Sequence, residues 1–222
     1  MQPHLIVMLT HNDITAKNAF TLFDSLKDTP VKYWGFKDIG LPFGEMKRLV
    51  GAMKAACKTV KLEVVSISEE KGLAAAKLAV KLNIDVLMGT VFHDSINQYL
   101  KDKTVKYVPF AGVVHGHPSV LDGSIEEVVE HARLLESKGV DGIDLLTHRY
   151  TGDPKKLLSE VVKATGLRVV SAGSIDSYNR IAEVADAGAW AFTIGSAFFE
   201  KKFDSSGSFR DNMMKVWGRV TA

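Results

Sequence analysis

Short runs rich in Val, Ile and Leu recur along the chain at residues 5–10, 31–36, 62–67, 86–90, 106–114, 142–146, 168–172 and 191–194. Each is the length of a buried strand. Between and after them lie segments with the three-to-four-residue apolar spacing of helices, at 16–27, 45–58, 71–82, 93–102, 125–138, 154–165, 178–187 and 208–220. Eight buried strands separated by single helices predict parallel pairing, because a parallel crossover needs a dozen or more residues and a helix supplies them. Eight such units fit a closed barrel, so the chain is expected to fold over residues 1–222 as a single-domain (β/α)8 TIM barrel. The rival is a doubly wound open sheet, which usually carries a glycine-rich turn after its first strand; here that turn reads MLTHND.

Helix punctuation supports these boundaries. Ser124 with Glu127 three residues on forms the pattern of a capping box, and Asp153 before Pro154 gives the favoured cap-then-proline order. Gly139, Gly166 and Gly188 fall where helices should stop. The triplet VVS at 64–66 and again at 169–171 suggests a half-barrel repeat.

Composition narrows the function classes. With 46% hydrophobic residues the 222-residue chain can bury a large core. Its net charge of +2 is too small to suggest a polyanion-binding surface, so nucleic acid is not an expected partner. The N-terminal apolar run is too short to span a bilayer and lacks a basic leader, and the single cysteine fits a reducing compartment. A cytoplasmic protein with no membrane partner is expected. Cys57 reads as a buried or half-buried thiol inside a helix and His131 as a helix-surface residue.

The strands predicted at 168–172 and 191–194 both end on the smallest residues, as Ala172-Gly173-Ser174 and Gly195-Ser196. In a barrel the loops after strands seven and eight commonly hold phosphate, and glycine lets bare backbone N–H groups approach an anion. Gly173, Ser174, Gly195 and Ser196 are therefore candidate phosphate ligands; taken one at a time, Gly173 is better read as an ordinary turn and Gly195 as relief of crowding near the barrel end, and it is the pair together that favours phosphate.

The reacting groups would stand at other strand ends. Lys37 in YWGFKDIG follows an aromatic-rich strand, where desolvation would lower its pKa and make it a base or Schiff-base nucleophile, unless it reaches solvent and pairs with Asp38. Asp144 lies in an apolar run and is expected inside the barrel as an acid or base partner, with Asp141 explained by a turn. His115 and His117 follow strand five; one of them as a proton shuttle is preferred to an H-x-H metal pair, so no metal and no cofactor is expected, and His115 joins Lys37 and Asp144 as a catalytic candidate. Thr90, His93, His117, His148 and Arg149 are candidates for lining the pocket, the last two alternatively belonging to a surface loop.

The stretch 168–199, VVSAGSIDS and then ADAGAWAFTIGSAFF, resembles the closing part of the ribulose-phosphate-binding barrel superfamily, which includes phosphoribosyl isomerases and N-acylmannosamine-6-phosphate epimerases. The resemblance implies a small phosphorylated metabolite held by Gly173, Ser174, Gly195 and Ser196. Where the superfamily usually has paired glycines this chain has Gly173-Ser174. Its metal-dependent epimerases place His and Asp where this chain has Lys37, Ser66 and Ser171, and its histidine-pathway isomerases place an Asp at the end of strand one, where only Asp13 is near.

The expected function is an enzyme that moves a proton next to the carbonyl of a phosphorylated sugar or keto acid. The alternatives are a Schiff-base aldolase using Lys37 and a barrel that binds a phosphometabolite without turnover. A synthase using an apolar donor is a weaker option, resting on Trp34, Phe36, Phe92, Phe110, Phe198 and Phe199. A homodimer through the barrel helices is compatible with the pattern.

Overall fold

In the computed structural model, which describes residues 2–221, eight parallel strands wind into a barrel: β1 (His4–Met8), β2 (Tyr33–Lys37), β3 (Thr59–Glu63), β4 (Val86–Met88), β5 (Lys106–Val108), β6 (Ile143–Leu145), β7 (Val169–Ser171) and β8 (Ala191–Ile194). The hydrogen-bonded order runs β6-β7-β8-β1-β2-β3-β4-β5. Closure comes from the Asp141 N–H donating to the Tyr107 carbonyl at 2.8 Å and the Asp144 N–H donating to that of Pro109 at 2.9 Å, with the Ala111 N–H returning a bond to the Asp144 carbonyl at 3.3 Å. Around the barrel run α1 (Ala19–Asp24), α2 (Phe43–Ala55), α3 (Glu69–Lys81), α4 (Asp94–Leu100), α5 (Ile125–Ser137), α6 (Pro154–Ala164), α7 (Tyr178–Asp186), the single turn α8 (Ser196–Phe199) and α9 (Phe209–Thr221).

The two-residue period of a strand sorts side chains between two cores. Leu5, Val7, Trp34, Phe36, Val60, Leu62, Phe192 and Ile194 face outward and pack under the helices. Ile6, Met8, Val86, Met88, Val108, Val170 and Ala191 form a smaller apolar cluster in the barrel lumen. By the same alternation β3, TVKLE, turns Lys61 and Glu63 inward, and β6 turns Asp144 inward. Trp34, Phe36, Phe110 and Phe198 are core residues.

Helix ends follow the local chemistry. Ser124 accepts the Glu127 N–H while the Glu127 carboxylate takes the Ser124 N–H at 2.7 Å, a complete capping box, and Asp153 accepts the Lys155 and Lys156 N–H groups ahead of Pro154. Gly139 and Gly188 follow their helices with φ of +73° and +77°.

Four expectations are corrected. The third strand lies at 59–63 instead of 62–67, since its inward-facing lysine and glutamate hide it from an apolar search and the following VVS belongs to a loop. VVS at 169–171 is strand β7, so the two triplets are not equivalent and mark no repeat. The α2 helix ends at Ala55, which leaves Cys57 exposed in a turn at φ +56°. His131 is half-buried, its Nδ1 accepting the Gly112 N–H at 2.8 Å, and burial lowers its pKa. Two β-hairpins also extend beyond the barrel strands, pairing Thr10–His11 with Ile14–Thr15 and Val113–His115 with Val120–Asp122. Among the described residues no helix is long and apolar enough to cross a membrane.

Candidate functional site

At the C-terminal mouth of the barrel a cavity of about 210 Å³ opens between the ends of β1, β2 and β3 on one side and those of β7 and β8 on the other. The first wall is charged. Lys37 and Glu63 are register partners at the last positions of β2 and β3, and their side chains meet at 3.1 Å. The hairpin after β1 brings Asp13 over them. Thr15 pins this hairpin, its hydroxyl donating to the Lys37 carbonyl and accepting the Lys37 N–H, both at 2.8 Å. Asp13 pairs with the Lys37 ammonium and takes Arg149 Nη1 at 3.0 Å and Nη2 at 3.4 Å. Lys37, Asp13 and Glu63 are only 7%, 8% and 12% exposed.

Two acids and two bases packed out of water are tolerable only because each side chain meets one of the opposite kind. Burial alone would raise the Asp13 pKa, but Arg149 and Lys37 override it and bring it down to about 2. Burial alone would lower that of Lys37, but Glu63 and Asp13 lift it above the ordinary lysine value. This reverses the expectation of a depressed, nucleophilic amine: two carboxylates outweigh desolvation. Asp38, the partner expected of a solvent-seeking lysine, instead accepts the Val65 N–H at 3.0 Å.

The opposite wall is made of small residues. Gly173 has φ +82°, and a Cβ there would stand 2.9 Å from Arg149 Cγ; a Cβ on Gly195 would stand 2.4 Å from Thr10 Oγ1 and 2.9 Å from its carbonyl oxygen. Glycine at both places therefore lets the charged wall close over the strand ends. Among the described residues, the N–H groups of Gly173, Ser174, Gly195 and Ser196 meet no protein acceptor. All four residues line the cavity, and the Ser196 hydroxyl accepts the Asn12 N–H at 3.2 Å, tying α8 to the β1 hairpin.

Asp144 sits lower, wholly buried in the lumen, with neither carboxylate oxygen hydrogen-bonded. Burial, then the Glu63 charge, raises its pKa well above the usual carboxylate range, against the pull of Lys37 and Lys61. It is placed inside the barrel as expected, beneath the cavity and not among its lining residues.

Of the remaining candidates only Arg149 lines the cavity. His115 stands in the Val113–His115 hairpin strand, half-exposed and paired with Asp122 across the ladder, because what reads as one long fifth strand breaks into β5 and this hairpin. His117 comes within 3.8 Å of Asp13 Oδ2 from above. The Thr90 hydroxyl is buried against the Tyr107 hydroxyl at 2.7 Å, and His93 precedes α4 with Nε2 3.4 Å from the Ile67 carbonyl. His148 turns away in the 3-10 turn Thr147–Arg149; burial, with Arg180 nearby, lowers its pKa to about 4.

Asp13 and Glu63 complete the charged wall. Asn12-Asp13, both at positive φ, is a two-residue hairpin signature flanked by strand-forming residues, and it was the legible clue to the first. Glu63 became visible only once the third strand was placed.

No family model and no curated sequence matches this chain. Solved structures do. The native KDPGal structure superimposes with a TM-score of 0.70 at 9% identity, covering 100% of this chain and 97% of that one. The fold is that of a TIM barrel. N-acetylmannosamine-6-phosphate 2-epimerase from Clostridium perfringens gives 0.65 at 11% identity, over 98% and 93% of the two chains. The glycerol uptake operon antiterminator regulatory protein from Listeria monocytogenes str. 4b F2365 gives 0.62 at 16%, over 88% and 93%. At such identities the likeness is one of architecture.

Proposed function

We propose that the protein is an isomerase or epimerase that moves a proton next to the carbonyl of a small phosphorylated sugar or keto acid. The observation that carries this reading is one cavity with four unengaged backbone N–H groups on one wall and a buried Lys37–Asp13–Glu63–Arg149 cluster on the other. The amides of Gly173, Ser174, Gly195 and Ser196 take the phosphate oxygens, which fixes the far end of the substrate.

At the reacting end Glu63 is the base that removes the proton. Lys37, protonated because its carboxylate neighbours hold its pKa up, faces the carbonyl oxygen and stabilises the negative charge that grows there as the proton leaves. Asp13, whose pKa Arg149 and Lys37 bring down to about 2, keeps Lys37 and Arg149 in position. A Schiff base at Lys37 would require the neutral amine, which this environment disfavours; proton transfer is therefore preferred to the aldolase. One fold neighbour, the N-acetylmannosamine-6-phosphate 2-epimerase, bears a name of the proposed reaction class.

The test is proton exchange. Phosphorylated aldoses, ketoses and keto acids incubated with the protein in D2O and followed by proton NMR should lose the signal of the C–H next to the carbonyl in at least one case. Glu63→Gln should slow that exchange by roughly 10²-fold or more. Melting-temperature shifts without exchange would favour a binding barrel, borohydride trapping of a Lys37 adduct would favour the aldolase, and no response to any phosphorylated compound would remove the substrate class.

A further inference from the structure

The barrel has a second cavity, of about 290 Å³, at the opposite end, where the strands begin. Lys61, on β3, points into it from the lumen and is 2% exposed. Among the described residues its ammonium has no hydrogen bond and no carboxylate within ion-pair distance. The rings of Tyr33 and Trp190 lie with centroids 5.6 and 5.2 Å from Nζ. Their π-faces offset part of the desolvation cost but accept no strong hydrogen bond. An ammonium that lines a cavity without a protein acceptor can take one from a ligand.

The surroundings fit an anion. Arg168 lies over the Trp190 ring at 5.2 Å, Lys32 over Tyr33 at 5.7 Å, and Lys106 also lines the cavity. The two carboxylates of the lining are already engaged: Asp85 accepts the Val60 N–H and the Lys54 ammonium, both at 2.6 Å, and Asp141 accepts the Tyr107 N–H at 2.8 Å. The deeper wall is apolar, formed by Val86, Val108 and Val170. The volume lies at the lower end of the range for small-molecule sites.

We propose that this cavity is a second ligand site, taking a small organic anion whose carboxylate or phosphate meets the Lys61 ammonium while its flat apolar body lies against Trp190 and the valine wall. The site lies at the far end of the barrel from the mouth and does not depend on the reaction proposed there.

The test uses the whole protein with tryptophan indole nitrogens labelled. The Trp190 N–H resonance, assigned by its loss in Trp190→Phe, should move saturably on titration with benzoate or phenyl phosphate, while the resonances of Trp34 and Trp217, which do not line the cavity, stay in place. Lys61→Met keeps the length of the stem and removes the charge; it should weaken binding about tenfold or more, the worth of one charge-assisted hydrogen bond. Should that variant not fold, the exposed Arg168→Gln is expected to weaken binding several-fold. An unmoved Trp190 resonance with both probes up to roughly 10 mM, or unchanged affinity in the folded variants, overturns the site. Inorganic phosphate binding as tightly as phenyl phosphate overturns the part assigned to the ring.

Discussion

Gly173 carries two separable demands, a left-handed backbone and a close approach to Arg149. Gly139 provides the comparison, since its φ of +73° is similar but a Cβ there would meet nothing within 4 Å. Gly139→Ala should therefore cost only the backbone penalty of about 1–2 kcal/mol. Gly173→Ala should cost more and also displace Arg149 from Asp13. Urea denaturation of both variants measures the difference, and equal losses would mean that Arg149 moves aside freely. Phosphate affinity, read in parallel, should fall only for Gly173→Ala.

At the level of elements, Ser124 and its capping box hold the start of α5, which packs chiefly on α6. Ser124→Ala removes the acceptor for the Glu127 N–H and should cost about 1 kcal/mol, measured as a lower urea midpoint with an unchanged slope. This helix start was legible because capping is local chemistry, written in four consecutive residues. So was the end of β8, where the apolar run AFTI stops at Gly195. β3 was not. An apolar search assumes that a lumen-facing residue is hydrophobic, whereas TVKLE puts Lys61 and Glu63 there because each end of the lumen opens into a polar cavity. The misplacement hid Glu63. Asp13, noted only as lying beyond the end of strand one, received no role for a related reason: it reaches the site from a hairpin beyond its strand, and only the closed barrel brings it to Arg149, 136 residues away. Lys37 lies at the cavity, but with its expected pKa shift inverted, since desolvation is visible in one strand while the opposing carboxylates come from two other segments.

For the whole molecule, the lumen is a column of titratable groups: Lys61 below, Asp144 in the middle, and the Lys37–Glu63–Asp13–Arg149 cluster above. Its members pull stability in opposite directions with pH. Asp13 has a folded pKa of about 2 against an ordinary 3.8, so it contributes about 2 kcal/mol that is fully present above pH 4 and fades as pH falls toward 2. Asp144 has a folded pKa raised above its unfolded value. Well below 3.8, at about pH 3 and under, it is protonated in both states and neutral to stability. As pH rises from there the unfolded chain ionises this carboxyl while the folded chain resists, and stability is lost. Asp144→Asn, an uncharged isostere of the protonated acid, should therefore match the parent near pH 3 and exceed it in folding free energy at pH 7. Urea titrations at the two pH values measure this, and a variant less stable than the parent at pH 7 would mean that an ionised Asp144 is held by Lys37 and Lys61. A carboxyl kept at such a cost points to use. Asp144 does not reach the cavity, so its effect on proton exchange must pass through the charge of Glu63. The variant's exchange rate should accordingly change in its pH profile more than in its substrate affinity.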